Sequence, residues 1–388
     1  MVLNGVKLAG FEGAFNIRIT GGLIASVTKE TIETEADTIR LNLKNTRAFP
    51  GLTNSHDHLE FNLFPQLGDK IYANYVEWGK YIHRHYKKEI DEVLNIPIGL
   101  RARWGVYKNL LCGVTTVVNH GPDFNIPDAP ITVFNHCETL HSVKLQQNWR
   151  LRLNNPLKIS TPAVMHIGEG TDAQAVWEIN ELIRWNIFNR DLVGVHGVAM
   201  QPQQARSFKA LIWCPETNYF LLNKTAQIDK LKNNTTILFG SDSALTAGWD
   251  IWKHIRLARK TDLLTDSELY QSLTSAAAKI WKLNTGIIEP GKDADVIIVK
   301  EKINGSTNFF DTTPEDILLV IHQGNIRLFD EELLHQLNDS FDLTGFSKIY
   351  TNSTCKYLKG DLPALINQIH QYYPNAVFPV QINQHQTT

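Results

Sequence analysis

The sequence predicts an α/β fold: a parallel (β/α)8 TIM barrel, distorted across its middle strands, beside a small β domain built from both ends of the chain. Three observations carry this. Eight short apolar runs recur between residues 51 and 240. Helical stretches separate the later runs. β-patterned segments lie before the first run and after the last. Buried parallel strands read as continuous apolar runs, and helices make the crossovers between them.

The elements follow in order. "FNIRIT" and "LIASVT" alternate with period two and flank "GG", the pattern of a hairpin. The chain then enters "RAFPGLTNSHDH", an apolar strand ending at two histidines. An insertion follows. Residues 71–86 are aromatic-rich and helical in pattern; a core or subunit-contact stripe is expected there, with a lid over a barrel mouth as the other use. Residues 96–113 have helical spacing and stop at Gly113. Barrel strands are expected at 51–55, 115–119, 131–134, 142–145, 163–167, 193–198, 210–214 and 236–240, with helices at 172–188 and 201–209. The gaps after the second, third and fourth strands are short for helical crossovers, so thin or missing helices are expected there. Residues 265–283 return to helix. The segment 286–300 returns to strand around a Pro-Gly turn and is expected to pair with the N-terminal strands. The apolar spacing of 361–373 predicts a docking helix, and 381–388 a frayed end. The expected division is 1–48 with 286–345 as the β domain, 49–285 as the barrel, and 346–388 as helix and tail.

Composition narrows the function. The 388 residues are 43% hydrophobic and 20% charged, with a formal net charge of -2. Neither a nucleic-acid partner nor a membrane surface is indicated. The basic run "HRHYKK" is followed at once by "EIDE", as on a solvated helix face. Four scattered cysteines make no zinc knuckle and no disulfide framework. No signal peptide or bilayer-length apolar run is present, so a cytoplasmic location is expected.

Chemistry collects where strands end. His56 and His58 are two apart, so in a strand both rings point to one side. The fifth strand runs into His166, the sixth into His196 and the eighth into Asp242. Each alone has a plain explanation as a hydrogen-bonded rim residue or a helix cap. Together, at matching strand ends in one ordered set, they form a donor set suited to one divalent zinc or ferrous iron ion. Glu169 follows His166 by three residues and could approach a metal-bound water. Its plain explanation is a carboxylate at the start of the next helix.

The ordered stretches "PGLTNSHDH", "LLCGVTTVV", "HIGEG", "VGVHGV", "WCPETNYFLL", "FGSDS" and "GIIEPGKDADVIIV" resemble the amidohydrolase superfamily, within it the cytosine deaminase-like and chlorohydrolase-like branch. The resemblance implies a barrel with a composite β-sandwich from both termini. It implies one metal held at His56, His58, His166 and Asp242, a proton shuttle at Glu169, and contact of His196 with water or substrate. The expected activity is hydrolysis of a non-peptide C–N bond, most specifically deamination of an N-heterocyclic small molecule, the metal lowering the pKa of bound water to give hydroxide near neutral pH. "LEFNLFPQLGD" after "HDH" and "CPETN" depart from that branch, so the chemistry transfers better than the substrate. Glu60, Asn62, His120, Asp123, His136 and Trp249 fall near strand ends and are pocket candidates. A homo-oligomer is compatible with the sequence.

Two alternatives stand beside this reading. Lys144 falls on the expected fourth strand, where related binuclear enzymes carry a carboxylated lysine; His196 would then ligate a second metal. A catalytically silent, metal-binding homologue is the alternative of another class, although every expected ligand is present.

Overall fold

The computed structural model describes residues 1–33, 38–302, 309–337, 341–352 and 354–382. Strands from both ends of the chain share one ten-stranded sheet. Val296–Lys300 pairs antiparallel with Thr46–Pro50, which ties the two ends together. Outward on one side lie Val2–Leu8, Ala14–Thr20 and Leu23–Thr28, with Arg40–Asn42 beside Val2–Leu8. The hairpin between Thr20 and Leu23 turns on Gly21 and Gly22, at φ +58° and +82°, a conformation glycine adopts without strain.

Alternation explains the unbroken apolar run in Val296–Lys300. Val296 and Ile298 pack with Leu3, Ile17 and Phe329, whereas Ile297 and Val299 face the larger core beneath the parallel strands. The sheet is therefore buried on both faces here. On its other side it continues through Ile317–His322, Asn325–Asp330, Thr354–Lys359 and Phe346–Thr351. The expected boundary at 345 thus precedes a hairpin of this sheet. Helix is confined to Leu362–Tyr372, whose Leu362, Leu365, Ile366 and Ile369 are buried at helical spacing against Ile98–Leu111. The expected frayed end lies outside the described residues from 383 onward.

Eight parallel strands make the second layer, as a three-stranded and a five-stranded sheet. The first three are Leu52–Asp57, Val114–Asn119 and Thr132–Phe134; the others are Glu138–Ser142, Ala163–Ile167, Leu192–His196, Ala210–Trp213 and Thr236–Phe239. The eighth meets the first through two hydrogen bonds: Asp242 N donates to the His56 carbonyl at 3.0 Å, and Ser241 N to the Asn54 side-chain Oδ1 at 3.0 Å.

The fourth strand is not where the sequence predicted it. It occupies 138–142, and the chain turns immediately after, with Gln146 N donating to Ser142 O and Leu145 N to Ser142 Oγ. Lys144 is exposed on that turn. Residues 135–137 alone separate the third and fourth strands. Parallel neighbours need about a dozen residues to cross over. The chain therefore passes directly from one sheet into the other as a single kinked stretch. The thin middle expected from the gap lengths is present: between the second and fifth strands the described helices are Trp149–Leu153 and the short 3-10 turn Pro156–Lys158.

Elsewhere helices recur: Ala173–Trp185, Pro202–Ala205, Pro215–Leu222, Ile228–Leu231, Ile251–Lys260, Asp266–Ser272 and Ser275–Trp281. The insertion folds as Tyr75–His85, Lys87–Leu94 and Ile98–Leu111. Asn74 caps the first of these, accepting from Glu77 N at 2.9 Å while Glu77 Oε2 accepts from Ala73 N. Gly113 follows the third at φ +78°. Among the described residues no helix is long and apolar enough to cross a membrane.

Candidate metal centre and active site

Strand alternation aims His56 and His58 the same way, and the structure brings His166 to meet them. His166 Nε2 lies 3.2 Å from His58 Nε2 and 3.3 Å from His56 Nε2. Asp242 Oδ1 stands 3.7 Å from His56 Nε2 and 3.8 Å from His58 Nε2. His196 Nε2 lies 3.8 Å from Asp242 Oδ2 and 3.6 Å from Glu169 Oε1. Two 2.0–2.1 Å bonds to one tetrahedral ion hold their nitrogens about 3.3 Å apart. The imidazole spacing matches that value, so this donor set fits a divalent cation.

Tautomers support the fit. His166 Nδ1 lies 2.7 Å from the His141 carbonyl, which requires a proton on Nδ1 and leaves Nε2 a free lone pair. His196 Nδ1 lies 3.0 Å from Asn218 Oδ1, and Asn218 Nδ2 donates to Thr225 Oγ1. That arrangement puts the His196 proton on Nδ1 and turns an acceptor Nε2 toward Glu169 and Asp242. Burial first, and neighbouring imidazoles second, hold His56 and His166 well below the usual histidine range. Burial also lowers His196. The rings are thus neutral, as ligands must be.

Glu169 is pushed well above the usual carboxyl range by burial, and further by Asp242 and Glu178. The following helix takes its cap from Asp172, whose Oδ1 accepts from Ala175 N at 3.0 Å. Glu169 is left facing His196. Asp242 and His196 both have left-handed backbone, at φ +56° and +72°, which is costly for residues with a Cβ and recurs where side chains must be aimed.

His58, His166, His196, Glu169 and Asp242 share a cavity of about 100 Å³ with Phe61, Tyr75, Trp78, His141, Leu245 and Thr246. Tyr75 and Trp78 come from the aromatic insertion, so this segment walls the site as well as packing into the core, where Tyr75 is buried and Trp78 lies against it. Burial lowers His141 to about 4.

The pocket candidates disperse. Asn62 is buried, giving Nδ2 to Asp57 Oδ1 at 2.8 Å and accepting from Lys108 Nζ at 2.9 Å. Its amide is consumed beneath the site instead of facing a substrate. Trp249 lines a separate pocket with Trp104 and Phe378. His136 is exposed and lines another with Thr132, Trp281 and His322. His120 and Asp123 border a 530 Å³ pocket at the junction of the two parallel sheets. Glu60 is buried with Oε2 unpartnered, its carboxyl raised chiefly by burial. Lys144, exposed beyond the strand, is not the on-strand residue that a bridging carboxylated lysine requires.

One assembly escaped the sequence reading. Asp57, between the two histidines, points the opposite way and is fully buried. Its Oδ2 accepts from Lys108 Nζ at 3.0 Å and Asn109 Nδ2 at 2.7 Å. Lys108 also reaches Ser241 Oγ at 3.3 Å and the Asp242 carbonyl at 3.4 Å. This network lashes the first strand, the helix Ile98–Leu111 and the eighth strand together under the site. A charged residue inside a wholly buried strand was the available signal, because such a charge must find a partner.

Residues 170–327 match the amidohydrolase family. A 5-methylthioadenosine/S-adenosylhomocysteine deaminase of Pyrococcus horikoshii is 25% identical over 199 residues, 44% of this chain and 47% of that one, so the chain spans about half the length of the curated relative it matches. Atrazine chlorohydrolase of Arthrobacter aurescens, solved with zinc, superposes with a TM-score of 0.66 at 14% identity, covering 96% of this chain and 99% of the other. An adenosine deaminase of Xanthomonas campestris with bound zinc gives 0.65 at 14% identity, covering 97% and 98%. Guanine deaminase of C. acetobutylicum, with guanine in its active site, gives 0.64 at 14%, covering 84% and 99%. These likenesses show a TIM-barrel-like α/β fold with an added β-rich domain.

Proposed function

We propose, for this member of the amidohydrolase superfamily, a metal-dependent hydrolase of a non-peptide C–N bond, and within that class an aminohydrolase of an N-heterocyclic small molecule. The observation carrying the proposal is the convergence of three imidazole nitrogens and the Asp242 carboxylate, with Glu169 and His196 against them in one cavity. His56, His58, His166 and Asp242 would hold the ion. A divalent cation bound there supplies Lewis acidity and makes a water molecule acidic near neutral pH.

The protein's own groups divide the remaining work. Burial first, and then Asp242, raise Glu169 well above the usual carboxyl range and so favour its protonated form. It can deliver that proton to a substrate ring nitrogen, or to the departing amine, from Oε1. His196, with its proton committed to Asn218, offers Nε2 as an acceptor for a proton of the attacking water. It cannot donate from that nitrogen while neutral. Asp242 turns its second oxygen toward His196 and can take the same proton. Phe61, Tyr75, Trp78 and Leu245 exclude bulk water and favour a flat, small, apolar-faced ring. The reaction is assigned to the cytoplasm, where the free cysteines Cys112, Cys137, Cys214 and Cys355 stay reduced.

The test is ammonia release by zinc- or iron-loaded protein across purines, pyrimidines, pterins, triazines and cyclic amides, with chloride release from chlorotriazines followed in parallel. Ammonia from one heterocycle class supports the reading. Chloride alone, or ring opening without ammonia, would replace the aminohydrolase assignment. Loaded protein inert toward every class favours the silent homologue.

A further inference from the structure

His120 follows the second strand, beside the donor set yet outside it. Its ring lies 4.1 Å from that of His166, 5.1 Å from His56 and 5.4 Å from His58. Its Nε2 is 3.1 Å from the Leu140 carbonyl, which requires the ring proton on Nε2 and leaves Nδ1 a bare lone pair. Nδ1 is fully buried and meets no donor. His166 is held alike, by the carbonyl of the next residue, His141. Two consecutive carbonyls of one strand thus lock two histidines, each with one nitrogen unprotonated. An N–H bound to a carbonyl and a free second nitrogen is the arrangement of metal-ligating histidine.

The distances agree. A ring nitrogen of each of His56, His120 and His166 falls within 4.8 Å of the others, and a second such set, His56, His196 and Asp242, shares His56. His120 thus offers a ring nitrogen within reach of the donor set. Among the described residues no N–H or O–H donates to this lone pair, and a cation would satisfy it.

We propose that His120 is a further ligand of this centre, giving its Nδ1 to the ion held by His56, His58, His166 and Asp242. The proposal rests on the metal reading above. A fourth imidazole tilts the site toward zinc or ferrous iron and away from magnesium, calcium and manganese, which prefer oxygen.

Two variants test it. His120→Ala removes the donor; His120→Gln keeps a side-chain N–H for the Leu140 carbonyl. Zinc affinity is measured by competition with a chelator, and cobalt-substituted protein is examined by its visible absorption. The expected result is a drop in zinc affinity beyond the roughly 10–100-fold that loss of a group outside the ligand set costs, in both variants, with a changed cobalt spectrum. Melting of the metal-free His120→Gln protein should match wild type. Unchanged zinc affinity and cobalt spectrum in His120→Gln overturn the proposal, whether or not turnover changes. A lowered metal-free melting temperature without loss of affinity likewise overturns it, in favour of a packing role. Wild-type protein that binds no zinc would instead bring down the metal reading itself, so the two failures are distinguishable.

Discussion

Lys108→Met should destabilise the protein far more than a surface lysine change would. Lys108 is 1% exposed and Asp57 fully buried, and their ion pair spans 3.0 Å. Deleting the ammonium strands a carboxylate with no water to solvate it, which costs about 3–5 kcal/mol. It also removes donors to Asn62 Oδ1 and the Asp242 carbonyl, which register the eighth strand against the first. Unfolding entropy of about 2.1 cal/mol/K per residue, over 388 residues, gives roughly 0.8 kcal/mol/K, so the melting temperature should fall by about 4–6 °C. Differential scanning calorimetry of the metal-free protein reads this directly. The double variant Asp57→Asn, Lys108→Met should recover most of the loss, because a neutral buried pair leaves no uncompensated charge. A Lys108→Met protein melting within about 1 °C of wild type would refute the claim that this pair is what secures the floor of the site.

Further outcomes follow from the same geometry. Glu169→Gln should lower turnover by roughly 10²–10⁴ while metal content and melting stay near wild type, since in the proposed role the group moves a proton without ligating, and Asp172 already caps the next helix; near-normal turnover would sink the proton-shuttle role. His58→Ala and Asp242→Ala should each lower metal content below the single equivalent expected of wild type, measured by elemental analysis, and full occupancy in either would show the ligand set misassigned. The metal-free protein should lose stability as pH falls below about 6.5: His56, His120, His166 and His196 are depressed by burial in the folded state, so the unfolded chain takes up protons first. Their contribution is complete above the unfolded value and lost on acidification, at about 1.4 kcal/mol per pH unit for each histidine titrating only in the unfolded chain. Glu169, raised in the fold, contributes with the opposite sign, its share being lost as pH rises. A melting temperature flat between pH 7 and 5 would contradict the buried neutral cluster.

What was legible in the sequence has local causes. A period-two strand puts His56 and His58 on one side whatever surrounds them, and continuous apolar runs announce buried parallel strands. Strand ends mark where chemistry collects, so His166, His196 and Asp242 stood out before any coordinates. The thin middle of the parallel layer followed from counting residues in gaps. The fourth strand slipped because "ETLHS" carries polar residues at strand positions, whereas "SVKL" alternates well but lies on a turn held by Ser142. That slip put Lys144 on the wrong footing.

Direction and partnership belonged to the tertiary structure. Asn62, His136 and Trp249 lie near strand ends in the chain, yet a buried lysine claims the first and separate pockets take the other two. Asp57, a charge within a buried strand, announces the need for a partner, but only the fold supplies Lys108, from a helix about fifty residues away. The proton positions on His120, His166 and His196 depend on which carbonyl or amide oxygen each ring meets, and only packing brings those oxygens within reach. The residues and their spacing set which chemistry was available. Long-range contacts decided which lone pairs remained free to perform it, because a lone pair is free only when nothing around it donates.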